Sequence, residues 1–143
     1  MASAKQYTDP YLLINIPNFK ELKINYNPHY NESLNGEGQY TWFEYIPQST
    51  LKMENGSVPL VVSLHGNGND ARLQGETTGW PELAAKENFM VVAPEWQDVV
   101  LDSSTHEPGP NFFNCDGLEG DKLIEWIEIL EQKYPQLMLL EFM

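Results

Sequence analysis

Two short and mostly apolar runs, 59–65 and 89–93, are the most regular feature of the chain. Apolar residues without polar alternation are typical of strands that are covered on both faces, as in a parallel sheet. A polar, glycine-rich stretch at 66–79 follows the first run, and we expect it to be a loop. The stretch 80–88 has a proline and a glutamate in its first turn, which predicts a short helix. Strand, loop, helix and strand in this order predict a right-handed βαβ unit.

Further elements extend this unit in both directions. The stretch 39–47 is dense in aromatic and β-branched residues, which favours a strand. Apolar residues recur at helical spacing from about residue 116 to 134, and the apolar stretch 137–142 predicts one more buried strand. The predicted fold class is α/β. We expect an N-terminal β extension at 1–38, with one or two peripheral strands, and a parallel βαβ core within 39–143.

The composition narrows the classes of function. The 143 residues carry a formal net charge of −13 and a single arginine, so no nucleic-acid partner is expected, because phosphate binding depends on Lys and Arg. One cysteine, Cys115, leaves no internal disulfide and no cysteine-rich zinc site. The apolar stretch 11–16 is too short for a signal-peptide core, and nothing approaches the ~20 apolar residues of a membrane span. We therefore expect a cytoplasmic chain that does not enter a membrane.

The candidate functional site follows the first apolar run, where His65, Gly66, Asn67 and Gly68 come after the predicted strand. Open α/β sheets bind ligands at the carboxyl ends of their strands. Small residues there let backbone N–H groups approach a substrate oxygen, as an oxyanion hole requires. The simpler interpretation is a tight turn without chemistry, with His65 as a hydrogen-bonded structural residue. Trp96, which follows the second predicted strand, is a candidate for lining the same pocket.

A second interpretation of these glycines is a dinucleotide site. The spacing Gly66-x-Gly68-x-x-Ala71 fits a permissive dinucleotide-binding motif, and Glu95 follows the next predicted strand. In that motif the glycines open a helix directly, whereas 73–79 contains two more glycines and lacks helical periodicity. We therefore expect no nucleotide cofactor. No two histidines share the spacing of metal ligands, so no metal site is predicted either.

Four segments carry a resemblance in their order and spacing: Pro59-Leu-Val-Val-Ser-Leu-His-Gly66, Gly79-Trp-Pro-Glu-Leu-Ala-Ala, Phe89-Met-Val-Val-Ala-Pro-Glu95, and Leu123-Ile-Glu-Trp-Ile with Lys133-Tyr-Pro135. Together they resemble the first half of the polyhydroxybutyrate-depolymerase and feruloyl-esterase group of α/β-hydrolases, over roughly 39–135. The resemblance implies a three-layer, partial α/β-hydrolase sheet and a serine carboxylic-ester hydrolase. It also implies a small or polymeric ester as substrate and an oxyanion-hole N–H from Asn67.

The resemblance ends after Pro135. The family's nucleophile lies in a G-x-S-x-G elbow on the next strand, with the acid and the histidine further along, and no such elbow occurs in this sequence. We therefore assign no catalytic residue and expect a chain that is truncated before the nucleophile and inactive alone. Two alternatives stay open: a non-catalytic carbohydrate- or aryl-binding module, and one half of a two-chain hydrolase.

The missing nucleophile strand has a consequence for the sheet. In the family's strand order, the strand 59–65 would present an apolar edge, which favours self-association or a partner chain. We expect 137–142 to occupy this place as a short surrogate strand.

Overall fold

The computed structural model describes residues 17–65, 71–95 and 120–139. The strands in these ranges are β1 (Ile24–Leu34), β2 (Glu37–Pro47), β3 (Leu60–Val62) and β4 (Met90–Pro94). The helices are α1 (Ala71–Thr77), α2 (Trp80–Glu87) and α3 (Gly120–Lys133), and a 3₁₀ helix spans Gln48–Lys52. The strands form a mixed sheet in the order β1-β2-β4-β3, which is compatible with part of an α/β fold.

The predicted βαβ unit is present. β3 and β4 pair in parallel, with Val61 opposite Val91, and α2 lies between them in the chain. Gly79 precedes α2 with a left-handed backbone (φ 83°), Pro81 lies in the first turn, and Asn88 ends the helix with a φ of 60°. These ends follow the usual chemistry of helix termini, with proline early and a residue that tolerates positive φ at the end.

The prediction of a continuous loop at 66–79 is wrong, because α1 occupies Ala71–Thr77. Glycine lowers the helix propensity of this stretch. Gly75, however, is buried against the sheet, and a Cβ atom at this position would collide with the Tyr45 ring. The glycine therefore permits close packing of α1 on the sheet and does not end the helix.

β1 and β2 form an antiparallel hairpin joined by Asn35 and Gly36, which have φ values of 52° and 82°. Two residues with positive φ are what a type I′ turn requires, and this turn matches the twist of paired strands. β1 lies at the edge of the sheet, as expected for a peripheral strand within 1–38. The pairing register shifts between His29 and Glu32.

Apolar side chains pack on both faces of the sheet, and those of β2 and β4 alternate between the two faces. Even-numbered apolar residues of β2 and β4 pack in a cluster with Trp126 and Leu130 of α3. Odd-numbered residues of the same strands pack in a second cluster with Ala71 of α1 and Ala84 of α2. Because successive side chains of a strand point to opposite faces, the two clusters lie on opposite sides of the sheet.

The helix predicted at 116–134 is confirmed over Gly120–Lys133, and residues 116–119 lie outside the described ranges. No helix in the described part of the chain is long and apolar enough to cross a membrane.

The stretch 137–142 begins beside β3. Leu137 forms an isolated parallel bridge with Val58, and the Met138 N–H donates to the Val58 carbonyl at 2.9 Å. Residues 140–143 lie outside the described ranges, so the surrogate strand beyond this bridge stays a prediction.

Candidate functional site

The predicted site lies at the carboxyl ends of β3 and β4, where His65 and Glu95 are described. His65 comes shortly after β3, and Glu95 follows β4 directly. Because parallel strands end at the same edge of a sheet, the two side chains meet there. Both residues are buried, with exposed fractions of 3% and 7%.

The Glu95 carboxylate joins three segments of the chain. Its Oε1 accepts a hydrogen bond from His65 Nε2 at 2.8 Å, and its Oε2 accepts one from the Ala71 backbone N–H at 2.9 Å. A carboxylate oxygen only accepts, so Nε2 of His65 carries the proton. Ala71 begins α1, and the first N–H groups of a helix lack partners within the helix and favour a negative charge. Glu95 therefore ties the ends of β3 and β4 to the start of α1.

A second hydrogen bond fixes α1 on β3. Gln74 Nε2 donates to the hydroxyl of the buried Ser63 at 3.0 Å, and the Ser63 backbone N–H donates to the Val92 carbonyl at 2.8 Å. The first turn of α1 is thus held at two points on the carboxyl edge of the sheet.

Glu95 binds the two residues that flank the predicted oxyanion segment, 66–70, in the chain. His65 precedes the segment 66–70 and Ala71 follows it, and both bind the same carboxylate. The His65 side chain has no exposed surface and forms a hydrogen bond with Glu95. Four other predicted site residues lie outside the described ranges: Gly66, Asn67, Gly68 and Trp96.

The structure changes the argument about a dinucleotide site. The stretch after the glycines is helical, so the expected absence of a helix is wrong. The Glu95 carboxylate, however, accepts from the Ala71 N–H at the start of α1, which is where the motif would bind a pyrophosphate. Two negative groups would compete for one helix start.

A second buried carboxylate, Glu44 on β2, lies on the face that packs against α3, and its side chain has no exposed surface. It accepts hydrogen bonds from Trp42 Nε1 at 2.7 Å, from Lys133 Nζ at 3.0 and 3.1 Å, and from the Tyr134 hydroxyl. His29 Nε2 lies 3.0 Å from the same carboxylate. The donors together match the lone pairs of two carboxylate oxygens, as a buried charge requires.

These contacts shift the pKa values within the cluster. Burial alone would raise the pKa of Glu44, but its hydrogen-bond donors outweigh burial and lower that pKa to about 2. Burial alone would lower the pKa of His29, but hydrogen bonds to Glu44 and Glu32 raise it. The Nδ1 atom of His29 lies 2.9 Å from Glu32, so both ring nitrogens face carboxylate oxygens. The doubly protonated imidazolium form satisfies both contacts.

Sequence reasoning missed Glu44, although β2 carried a signal. Strand alternation places Glu44 in phase with Trp42 and Ile46, which face the core. A carboxylate at a core-facing position of a strand needs hydrogen-bond donors inside the core. Within the described ranges, no group of three or more His, Cys, Asp or Glu side chains is arranged to hold a metal ion.

Comparisons with known proteins bear on the fold. Neither a protein-family model nor a curated protein matches the sequence. Among solved structures, vibralactone cyclase superimposes with a TM-score of 0.51 at 14% identity, over 94% of this chain and 41% of the cyclase. An esterase from Pyrococcus furiosus superimposes with a TM-score of 0.48 at 15% identity, over 82% of this chain and 38% of the esterase.

The chain therefore spans about two fifths of the length of these structures. The likeness to the cyclase concerns the fold alone, and it is compatible with a partial α/β fold.

Proposed function

We propose that the chain forms the amino-terminal part of an α/β-hydrolase that acts on carboxylic esters. We assign it a three-layer domain of the polyhydroxybutyrate-depolymerase and feruloyl-esterase group. The fold likeness to vibralactone cyclase supports the class, and the position of His65 and Glu95 at the carboxyl ends of β3 and β4 supports the site. The observation that carries the proposal is the Glu95 carboxylate, which binds residues on both sides of 66–70.

Ester hydrolysis by a serine enzyme needs donors for the oxygen that becomes negative in the tetrahedral intermediate. We assign one donor to the Asn67 backbone N–H, with Gly66 and Gly68 as small neighbours that admit the substrate. Trp96 is assigned to the wall of the same pocket.

Glu95 is a positioning residue in this proposal. Because His65 and Ala71 both bind its carboxylate, the segment between them has fixed ends. A donor that is held in place before the reaction needs no reorganisation in the transition state, and this is the source of most oxyanion stabilisation.

The sequence supplies no nucleophile elbow, so we expect residues 1–143 to hydrolyse no ester alone. In the proposed domain, the elbow strand lies beside β3, on the side away from β4. The bridge between Val58 and Leu137 marks that side. A longer chain or a partner chain would supply the nucleophile, the acid and the histidine there.

The test begins with the source DNA, translated beyond codon 143 in all three frames. If one frame encodes G-x-S-x-G followed by Asp and His, that sequence is expressed as a continuation of residues 1–143 in a single protein. The joined protein should hydrolyse 4-nitrophenyl acetate, and a serine-directed phosphonate should abolish turnover. Replacement of the elbow serine by alanine is the control. Phosphonate-sensitive turnover by residues 1–143 alone, or no elbow in any frame, would contradict the proposal.

The role of Glu95 has its own test in the joined protein. Glu95→Gln keeps the size of the side chain but cannot accept both hydrogen bonds, so the oxyanion segment should lose one fixed end. We expect kcat to fall about 10- to 100-fold with little change in KM, since misplacement by about 1 Å has an effect of this size. Glu87→Gln, at an exposed site on α2, is the matched control. Equal kinetics for the two variants would exclude the positioning role.

The alternative of a carbohydrate- or aryl-binding module needs exposed aromatic rings. Trp42 and Trp126 are buried against each other, with ring centroids 6.0 Å apart. Trp80 packs on Phe89 at 6.1 Å. These three tryptophan rings pack against other aromatic rings, so they give no support to this module. The two-chain arrangement and the cytoplasmic location stay predictions.

A further inference from the structure

The positive charges of the chain are few, and six of the described ones form two groups, with Lys86 in neither. The sequence has 8 Lys and Arg residues against 21 Asp and Glu. One group has carboxylate partners and consists of Arg72, Lys122 and Lys133. The other group lines a single cavity and consists of Lys20, Lys23 and Lys52. Among the described residues, none of these three lysines has a carboxylate partner.

The cavity lined by these lysines has a volume of about 610 Å³, within the range of small-molecule sites. Leu22, Pro47 and Ala85 supply an apolar wall, and Gln48 and Ser49 complete the lining. No carboxylate is among the lining residues that the structure describes. A concave surface with charges of one sign concentrates the electrostatic potential, and here the sign is opposite to that of the whole chain.

Backbone hydrogen bonds hold the lysines in place. The Lys23 N–H donates to the Lys20 carbonyl at 3.2 Å, and the Gln48 N–H donates to the Lys23 carbonyl at 2.9 Å. The backbone of Lys23 has a φ of 56°, which lies in the left-handed region that residues other than glycine rarely adopt. Lys52 lies on the 3₁₀ helix that begins at Gln48. The backbones of the three lysines are therefore fixed around the cavity by the fold itself.

This cavity is separate from the candidate hydrolase site. β2 runs antiparallel to β4, with Trp42 opposite Pro94 at the carboxyl end of β4 and Tyr45 opposite Val91 near its amino end. Pro47, which lines the cavity, lies further along β2 in the same direction. The cavity is thus at the end of the sheet opposite to Glu95.

We propose that this cavity binds a compact oxyanion with two or more negative charges. Three ammonium groups that have no carboxylate partner in the described part of the chain supply donors and positive charge, and lysine binds phosphate as a point charge. The apolar wall can accept a small carbon framework attached to the anion. A phosphate group and a polycarboxylate share this chemistry, and two ligands distinguish them in the test.

The test is calorimetric titration of the whole chain with inorganic pyrophosphate and with citrate, at a constant ionic strength of about 0.15 M. We expect saturable binding at one site. In NMR spectra recorded during the same titrations, the backbone amide signals of Lys23, Gln48 and Ser49 should shift. Tighter binding of pyrophosphate would assign a phosphate ligand, and tighter binding of citrate would assign a polycarboxylate.

Charge-matched variants separate the cavity from general attraction. Lys52→Gln should weaken binding about two- to fivefold, the effect of one exposed ion pair, and replacement of all three lysines by glutamine should abolish it. Lys86→Gln removes the same charge from an exposed site outside the lining. Equal weakening by Lys86→Gln, amide shifts spread over the chain, or no saturation at millimolar ligand would overturn the proposal.

Discussion

Glu44 carries a negative charge into the core between β2 and α3, and its donors come from distant parts of the chain. Lys133 and Tyr134 reach it from the end of α3, and His29 reaches it from β1. Asn27 Nδ2 donates to the Tyr134 hydroxyl at 3.3 Å, which leaves that hydroxyl proton for Glu44. The carboxylate therefore joins two strands and a helix through polar contacts inside an apolar face.

Glu44→Gln should lower the free energy of unfolding by about 1–3 kcal/mol at pH 7, because the neutral amide cannot accept all the hydrogen bonds that Trp42, Lys133 and Tyr134 donate to the carboxylate. The folded pKa of about 2 lies below the ordinary value of 4.5, so the stabilisation is complete above pH 4.5 and is lost as the pH falls toward 2. Urea unfolding of both proteins at a series of pH values measures this difference.

The exposed Glu128 on the same helix provides the control for that measurement. Glu128→Gln should change stability by less than about 0.5 kcal/mol at any pH in the series. A loss for Glu44→Gln that does not diminish below pH 4.5, or that matches the control, would contradict the assigned pKa.

Some residue roles could be predicted from the sequence and others could not. The helical spacing that includes Trp126 predicts its burial, and Trp126 is buried. The Glu95 contact to Ala71 was beyond prediction, because it depends on a helix that local propensity conceals. Glu44 shows a third case, in which alternation marks the residue but its partners come from tertiary packing.

At the scale of elements, α1 shows that a glycine can lower helix propensity and also allow a helix to pack closely. Gly75 in a sequence favours a loop, because glycine has low helix propensity. In the structure the same residue lets the helix approach the Tyr45 ring. The apolar runs of β3 and β4, by contrast, were predictable because burial on both faces leaves a direct compositional signal.

Gly75→Ala should therefore lower the free energy of unfolding by about 1–3 kcal/mol, the usual effect of overpacking, although alanine favours helices. Thr77→Ala, at an exposed position of the same helix, should be neutral or slightly stabilising. Thermal or urea unfolding of the two variants measures the contrast. Stabilisation by Gly75→Ala would mean that α1 does not pack closely on β2.

At the scale of the whole molecule, the edge of the sheet formed by β3 is only partly paired. Leu137 pairs with Val58, whereas Leu64, Met138 and Leu139 near this edge have exposed fractions of 48%, 54% and 72%. Exposed apolar residues beside an incompletely paired strand favour pairing with another strand. No local sequence pattern predicts this pairing, because the partner of Val58 lies 79 positions further along the chain.

Hydrogen exchange tests this edge directly. The Met138 N–H donates to the Val58 carbonyl at 2.9 Å, so its exchange should be slow. Alternation of N–H groups along a paired strand turns the Leu139 N–H away from β3, so its exchange should be fast. NMR of the chain in D₂O measures both amides. Equal exchange rates for Met138 and Leu139 would exclude the pairing.

The buried charge at Glu44 also sets an order of events during synthesis. Lys133 and Tyr134 leave the ribosome 89 and 90 positions after Glu44. Until then the carboxylate lacks two of its donors, and burial of a partly paired charge costs several kcal/mol. The α3-facing side of the hairpin must therefore stay hydrated until the end of α3 has been made. A nascent chain that pauses before residue 133 keeps this face open to contact with other chains.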